Sequence, residues 1–500
     1  MIKEVPINDN WLFCNGFDKA CLEKDYSWEN SFITSLPHNI YECGEDYFDE
    51  RNMQRVVTYS RVLTVPDSYL GKRLLLRFEG VLSYVEVYVN GIFVTSHKGE
   101  TPFTADVTAP LLYNYENRIV LKVDSGIRKD VPCSGIRGPH CGFGGIHRDV
   151  VFLICDGRDI RDVCMRYNAA DQTVTADVEL FDWYPDTELD GEILCDGGKS
   201  LCSLALRSVQ GSHVRLKGDA SGAVLWSPDT PQMYTALIRL KQGGNVLDCK
   251  YVPFGFKTAV FLRDGFYLNG VRTKLIGLLR ADSYPVIGRA ATEQTERRDA
   301  RLIKEAGCNA VRTMGLAGKD FIDECNKIGL MVIEDVYGDG YVGSGDWRDA
   351  FIAGVTDMVV RDRNAPSIIG WGVRVNNSRD CDELYFKANQ AAKQADPTRN
   401  TIGARGFTGS HMFEDVFAYG SKSGPYSKAN KLFMPHFIGE HSGGAVAKPY
   451  DTESIRVRQA LAHLEVLDDV LGSSSAGAFG MSFCDFAAGG GQGSGDGLNH

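Results

Sequence analysis

The chain has no apolar run approaching the ~20 residues that a bilayer-spanning helix needs, so no membrane partner is expected. It also lacks an excess of positive charge, with 54 Lys and Arg against 65 Asp and Glu and a net charge of −11. A surface of that sign is repelled by phosphate backbones and anionic lipid, so no nucleic acid is expected as a partner either. The fourteen cysteines are scattered singly, with no Cys-x-x-Cys pair and no other metal-ligand spacing. The opening MIKEVPINDNWLF contains no apolar core of the kind a secretory signal carries. Reduced, mostly buried thiols in a cytoplasmic protein are the expectation.

What is present is a globular balance, 43% hydrophobic and 24% charged residues over 500 positions, enough for two to four domains. Residues 1–156 read as short strands with frequent turns. Arg73 to Phe78 is apolar with charged ends, and Tyr84 to Val89 alternates before Asn90-Gly91 turns the chain into Ile92 to Thr95. A jelly-roll β-sandwich is predicted. Residues 157–258 are again β, with alternation over Thr173 to Leu180 and Tyr234 to Leu240, and fit an immunoglobulin-like β-sandwich.

Over 259–500 the pattern changes to apolar strands alternating with amphipathic stretches such as Thr292 to Ala306 and Asp349 to Arg363. Strand ends are predicted near Leu278, Arg312, Asp335, Arg374, Ala404, Tyr419, His441 and Phe486, the eight of a (β/α)8 TIM barrel. After Phe486 only a glycine-rich stretch remains. The barrel is therefore expected to lack its last helix, and the chain to be a fragment of a longer protein.

The sharpest motif is Arg361 to Ser378, RDRNAPSIIGWGVRVNNS. Asn364-Ala365-Pro366 is a helix stop, Ser367 to Gly372 a short buried parallel strand, and Trp371, Arg374, Asn376 and Asn377 a polar cluster at its end. Active sites of such barrels lie at that C-terminal rim. The run Trp371-Gly372-Val373-Arg374-Val375-Asn376-Asn377-Ser378 resembles the acid/base strand of glycoside hydrolase family 2, the β-galactosidase and β-glucuronidase family, which ends this strand in Asn-Glu. Phe78-Glu79-Gly80-Val81, Val89-Asn90-Gly91, Pro102-Phe103 and Gly144 to Val150 resemble that family's N-terminal sugar-binding-type domain, and Phe254-Gly255-Phe256-Lys257 its link into the barrel.

The resemblance implies hydrolysis of O-glycosidic bonds by a retaining mechanism, which needs two carboxyl groups about 5–5.5 Å apart. It puts Glu440, in FMPHFIGEH, at the nucleophile position and Asn377 at that of the acid/base glutamate. An amide has no proton to give near neutral pH, and general acid–base help is worth about 10²–10⁴-fold in rate. Asp380, Asp382, Glu383, Glu334 and Asp335 are the carboxylates that could substitute for the absent acid, with a solvated charge cluster the first reading for Asp380, Asp382 and Glu383. By the same resemblance Arg280 would pair with Glu440, Tyr419 would lie near it, Asn376 would contact the sugar, and Trp371 and Asp485 would complete the pocket. Departures cluster on the rim: Leu279 and Ala281 flank Arg280, Met314-Gly315-Leu316 replaces Ser-His-Tyr, and Met481 stands where a tryptophan is expected. These remove hydrogen-bonding and stacking groups. The metal ligands of some β-galactosidases have no counterpart in Glu334 to Gly338, so neither metal nor cofactor is predicted.

Two readings follow, a β-galactosidase-like hydrolase of weakened or altered activity and a catalytically inactive carbohydrate-binding or assembly module. Under either, the partner is a carbohydrate, and the family's habits leave room for a homo-oligomer.

Overall fold

In the computed structural model the described residues are 2–41, 50–133, 143–184, 186–284, 286–420, 433–441, 452–484, 486–487 and 498–499. The first domain packs a four-stranded sheet containing Lys3–Pro6, Val150–Cys155, Arg73–Phe78 and Phe103–Asp106 on a six-stranded one. Alternation sets its layers: in Tyr84–Val89 the buried residues are Val85, Val87 and Val89, and these join the core between the sheets. The hairpin at Asn90-Gly91 has φ of 51° and 78° at its two turn residues, the left-handed pair that a two-residue loop between twisted strands requires.

The second domain orders seven strands from Ile160–Asn168 to Asn245–Phe254. Its strand Ser200–Gln210 pairs first with Thr187–Leu194 and then, past Leu204, with His213–Asp219. One strand thus serves both sheets, which close on a core including Val178, Ile193, Leu216 and Ile238.

The third domain is a closed barrel of eight parallel strands. They are β1 (Leu275–Arg280), β2 (Ala310–Thr313), β3 (Met331–Asp335), β4 (Ile368–Gly372), β5 (Asn400–Arg405), β6 (Val416–Gly420), β7 (His436–His441) and β8 (Gly477–Gly480). Helices α1 (Glu293–Glu305), α2 (Lys319–Ile328), α3 (Asp346–Asp362) and α4 (Asp382–Ala395) follow the first four strands, and α5 (Glu453–Leu471) follows β7. The eighth strand was expected to end near Phe486, and this is corrected: β8 stops at Gly480, while Phe486–Ala487 pairs with Leu498–Asn499 outside the barrel. β4 likewise ends at Gly372, which puts Arg374, Asn376 and Asn377 on the loop above it. The described residues 406–415 between β5 and β6 form a loop where a helix was expected, and among the described residues none follows β8.

Strand alternation divides the barrel wall. Leu275, Leu279, Ala310, Met331, Ile333, Ala418, Phe437 and Phe479 fill the interior, while Val311, Val332, Ile368 and Trp371 pack outward against the helices. No helix among the described residues is long and apolar enough to cross a membrane.

The first domain is bolted to the barrel rim by buried ions. Glu100 accepts from Arg289 Nη1 at 2.6 Å and from the Leu316 N–H at 3.1 Å. Arg289 also donates to Asp282 at 2.7 Å. Burial alone would raise the Asp282 carboxyl, but Arg289 and Arg148 hold it below the usual carboxylate range. Removing one member of such a buried pair strands the other and costs about 3–5 kcal/mol. This fixes the sandwich beside the loops after β1 and β2, as a wall of the rim.

Candidate active site

Glu440 owes its direction to a bulge. On β7, Phe437 faces the interior and Ile438 the outer layer under α5, so strict alternation would send residue 440 outward. The register against β6 steps from Tyr419↔Ile438 to Gly420↔Glu440, leaving Gly439 as an extra residue. Such a bulge re-aims the side chains that follow it. His441 now lies against His463 of α5, and Glu440 turns toward the lumen, where it is largely buried.

Asn377 comes from the loop after β4 with φ of 51°, a conformation that asparagine adopts more readily than most residues. Its backbone N–H donates to the Ala404 carbonyl at 3.2 Å, and its Oδ1 accepts from the Gly406 N–H at 3.1 Å. That second bond fixes the amide through its oxygen. Gly420 separates the two groups. A methyl placed there would sit 3.8 Å from Glu440 Oε2 and 4.0 Å from Asn377 Oδ1. Both side chains therefore border the same gap.

Beneath them Arg312 links two strands. Its Nη1 donates to the Gly439 carbonyl at 2.9 Å, and its Nη2 donates to Asp335 at the end of β3. One guanidinium fork thus ties the backbone of the bulge to a buried carboxylate. Burial pushes the Asp335 carboxyl upward against the pull of Arg312. Gly372 of β4 leaves the room this requires, because a Cβ there would collide with the Asp335 carboxylate. Sequence reasoning gave Arg312 no role in the site. The available signal was parity, since Arg312 shares the inward phase of Ala310 on β2 and of Met314 just beyond it.

The rim substitutions converge on the other side. Leu279, Ala281 and Met314 are buried in the same apolar cluster, with Met481 packed against it. Phe483 N–H donates to the Leu279 carbonyl at 2.8 Å, which closes this arc between β8 and β1.

Three segments match known family descriptions: residues 3–155 the sugar binding domain of glycosyl hydrolases family 2, residues 159–257 glycosyl hydrolases family 2, and residues 260–419 its TIM barrel domain. Over 99% of its length the chain is 32% identical to a β-galactosidase of Thermoanaerobacterium thermosulfurigenes, of which it covers 73%. It is 32% identical to a β-galactosidase of Thermoanaerobacter pseudethanolicus, covering 68% of that protein. The chain belongs to glycoside hydrolase family 2. Its fold is also that of Bacteroides uniformis β-glucuronidase, with a TM-score of 0.86 over 97% of this chain and 65% of that one at 22% identity.

Within this family 2 chain, several residues expected at the site lie elsewhere. Arg280 does not pair with Glu440. It follows Leu279 on β1 and so points outward, where Nε donates to Asp299 at 2.9 Å, Nη2 donates to the Tyr284 hydroxyl at 2.7 Å, and the guanidinium lies over Phe321. Trp371 is likewise outside the lumen, packed among the helices with Nε1 donating to Asp396 at 3.0 Å. Tyr419 packs outward with Phe417, Val466 and Val470 beneath α5. Asn376 stays at the rim, its Nδ2 donating to Asp339 at 3.1 Å. Asp485 lies outside the described residues.

The neighbouring carboxylates are engaged. Burial opposes it, yet the His411 backbone, Arg374 and Arg405 hold Asp380 below its ordinary range, with the two guanidinium contacts at 2.5 and 2.7 Å. Glu334 faces outward and accepts from the Ala317 N–H and Arg361, both at 3.1 Å. Asp382 meets His411 at 3.3 Å and Glu383 meets Lys387 at 2.7 Å. Among the described residues no three His, Cys, Asp or Glu side chains converge as a metal site requires.

Proposed function

We propose that this protein is a β-galactosidase-like retaining glycosidase in which Glu440 attacks the anomeric carbon and Asn377 occupies the acid/base position without its chemistry. A jelly roll over 1–156 and an immunoglobulin-like sandwich over 157–258 carry and shape the barrel of 259–500. The observation that carries the reading is the pair itself: Glu440, turned inward by a bulge, and Asn377 border one gap over Gly420. Arg312 supports it by fixing the backbone immediately before Glu440. Glu440 would form a glycosyl ester as the aglycone departs, and water would then cleave that ester with the anomeric configuration retained.

The test is a 2-fluoro-β-galactoside with a dinitrophenolate leaving group, followed by mass spectrometry of the intact protein and its peptides. A galactosyl adduct on Glu440 is expected, lost in Glu440→Gln together with ~10³-fold or more of the turnover. Absence of any adduct, or an adduct on another carboxylate, would overturn the assignment. A second reading, sugar binding without turnover, draws on the apolar arc of Leu279, Ala281, Met314 and Met481. Calorimetric binding of galactosides by a protein that never forms the ester would favour it.

A further inference from the structure

Helix α5 has two apolar faces. One meets the barrel, where Val466, Val470 and Leu467 pack with Ile438 and Ala478, and His463 lies against His441. At about 100° per residue, Val457, Leu461, Leu464 and Leu471 fall within an arc of about 80° on the opposite side. They are 50%, 52%, 58% and 54% exposed. A surface helix ordinarily buries its single apolar stripe and turns a polar face to water. Contiguous apolar patches left in solvent mark interaction sites.

The spacing of this stripe matches a second helix. Val457, Leu461, Leu464, Asp468 and Leu471 step alternately by four and three residues, the seam along which two helices pack knobs into holes. The charges match a particular direction. Apart from Glu453, the N-terminal half carries Arg456 and Arg458, the C-terminal half carries Glu465, Asp468 and Asp469, and the last turn has no basic residue. That order opposes the helix dipole, which favours acids at the start and bases at the end. Glu465 also has Asp468 and Asp469 three and four residues on, where like charges repel. Arg458 and Glu465 are exposed, and neither forms an ion pair among the described residues. They stand about 10 Å apart along the axis, too far to meet within one helix.

We propose that α5 docks on α5 of a second copy of this chain, the two helices running antiparallel about a twofold axis. The axis passes between residues 462 and 463, so that Leu461 of each copy packs on Leu464 of the other. Val457 then meets Asp468, and Ala460 meets Leu467 along one flank. On the other flank Arg458 comes opposite Glu465 of the second copy, twice in the dimer. Each acidic half lies against a basic half, and the two dipoles oppose. A parallel pair would instead stack Asp468 on Asp468 in the seam. The patch is self-complementary, so the assembly closes at two. One helix per copy gives a contact near ~1,000 Å², the low end for specific complexes, and the dimer is therefore reversible.

The experiment is sedimentation equilibrium of the chain over a ~100-fold range of concentration through the micromolar region. A monomer–dimer equilibrium is expected. Leu461→Lys should weaken it ~10²-fold by placing a charge in the seam. Glu465→Arg sets cations face to face and should weaken it ~10-fold. Adding Arg458→Glu to Glu465→Arg restores the pair in reverse and should return the dissociation constant to within about threefold of the parent. These positions are exposed in the single copy, so melting temperatures of the dilute variants should stay at the parent's value. A monomer at every concentration, a dimer indifferent to Leu461→Lys, or a double swap no better than Glu465→Arg alone would overturn the proposal. A monomer that floats with phosphatidylcholine vesicles would overturn it in favour of a bilayer surface. No outcome depends on whether Glu440 acts as a nucleophile.

Discussion

Between β4 and β7 the barrel rim carries the polar groups Asn376, Asn377 and Glu440, with Arg312 of β2 and Asp335 of β3 reaching beneath Glu440. Between β8 and β2 the same rim is closed by Leu279, Ala281, Met314 and Met481. The first arc brings a carboxylate and an amide beside Gly420. The second is made of packed apolar side chains. Under the proposed function, the difference would separate bond-breaking at Glu440 from sugar-holding across the apolar arc.

The largest effect that sharpens this comparison lies behind the wall. If Arg280 serves the barrel's outer layer, Arg280→Ala leaves Asp299 and Tyr284 without their cation and lowers stability by about 3–5 kcal/mol. Chemical denaturation should show that loss, while the pH profile of the folded variant stays as in the parent. A shifted pH optimum with unchanged stability would return Arg280 to the site. A smaller effect probes the apolar arc. Leu279→Asn introduces an amide into packed surroundings and should cost about 1–3 kcal/mol. A stability loss near zero would mean the arc is wet and open to polar ligands, which breaks the contrast between the two arcs.

The smallest effect is on the pH dependence of stability. Burial pushes the imidazoles of His38, His97 and His441 down to about 4. Their folded values lie below the unfolded value of about 6.5, so the unfolded chain binds protons first and stability falls as pH drops from about 6.5 toward 4. Asp396 acts lower on the scale. Burial works against it, but Arg399 and Thr398 hold it far below the unfolded value of about 3.9, and its contribution is lost below about pH 4. A melting temperature flat between pH 7 and 4.5 would contradict the histidine placement. His97→Gln should remove part of that slope, by a few °C at most.

Much of the architecture was legible because periodicity reports burial directly. The alternation of Tyr84–Val89, the Asn90-Gly91 turn and the amphipathic helix at Glu293–Glu305 all stand where the sequence put them. Glu440 and Asn377 were picked out from recognisable strings, and the fold sets both beside Gly420. The same reading failed for Arg280, Trp371 and Tyr419 because a string shows proximity in sequence, whereas a four- to six-residue strand sends adjacent side chains to opposite sides of the wall. Arg312 was missed for the same reason. The bulge at Gly439, which reverses the phase just before Glu440, leaves no pattern that alternation alone could have predicted.

The measurement that bears most directly on the whole account is kcat/KM of Asn377→Glu for an alkyl β-galactoside, a substrate whose leaving group must be protonated. A gain of ~10²-fold over the parent, with a new decline at high pH as the introduced acid ionises, is the predicted result. An unchanged rate in a variant that still forms the Glu440 adduct with an activated galactoside would contradict it, because residue 377 would then not stand opposite the nucleophile.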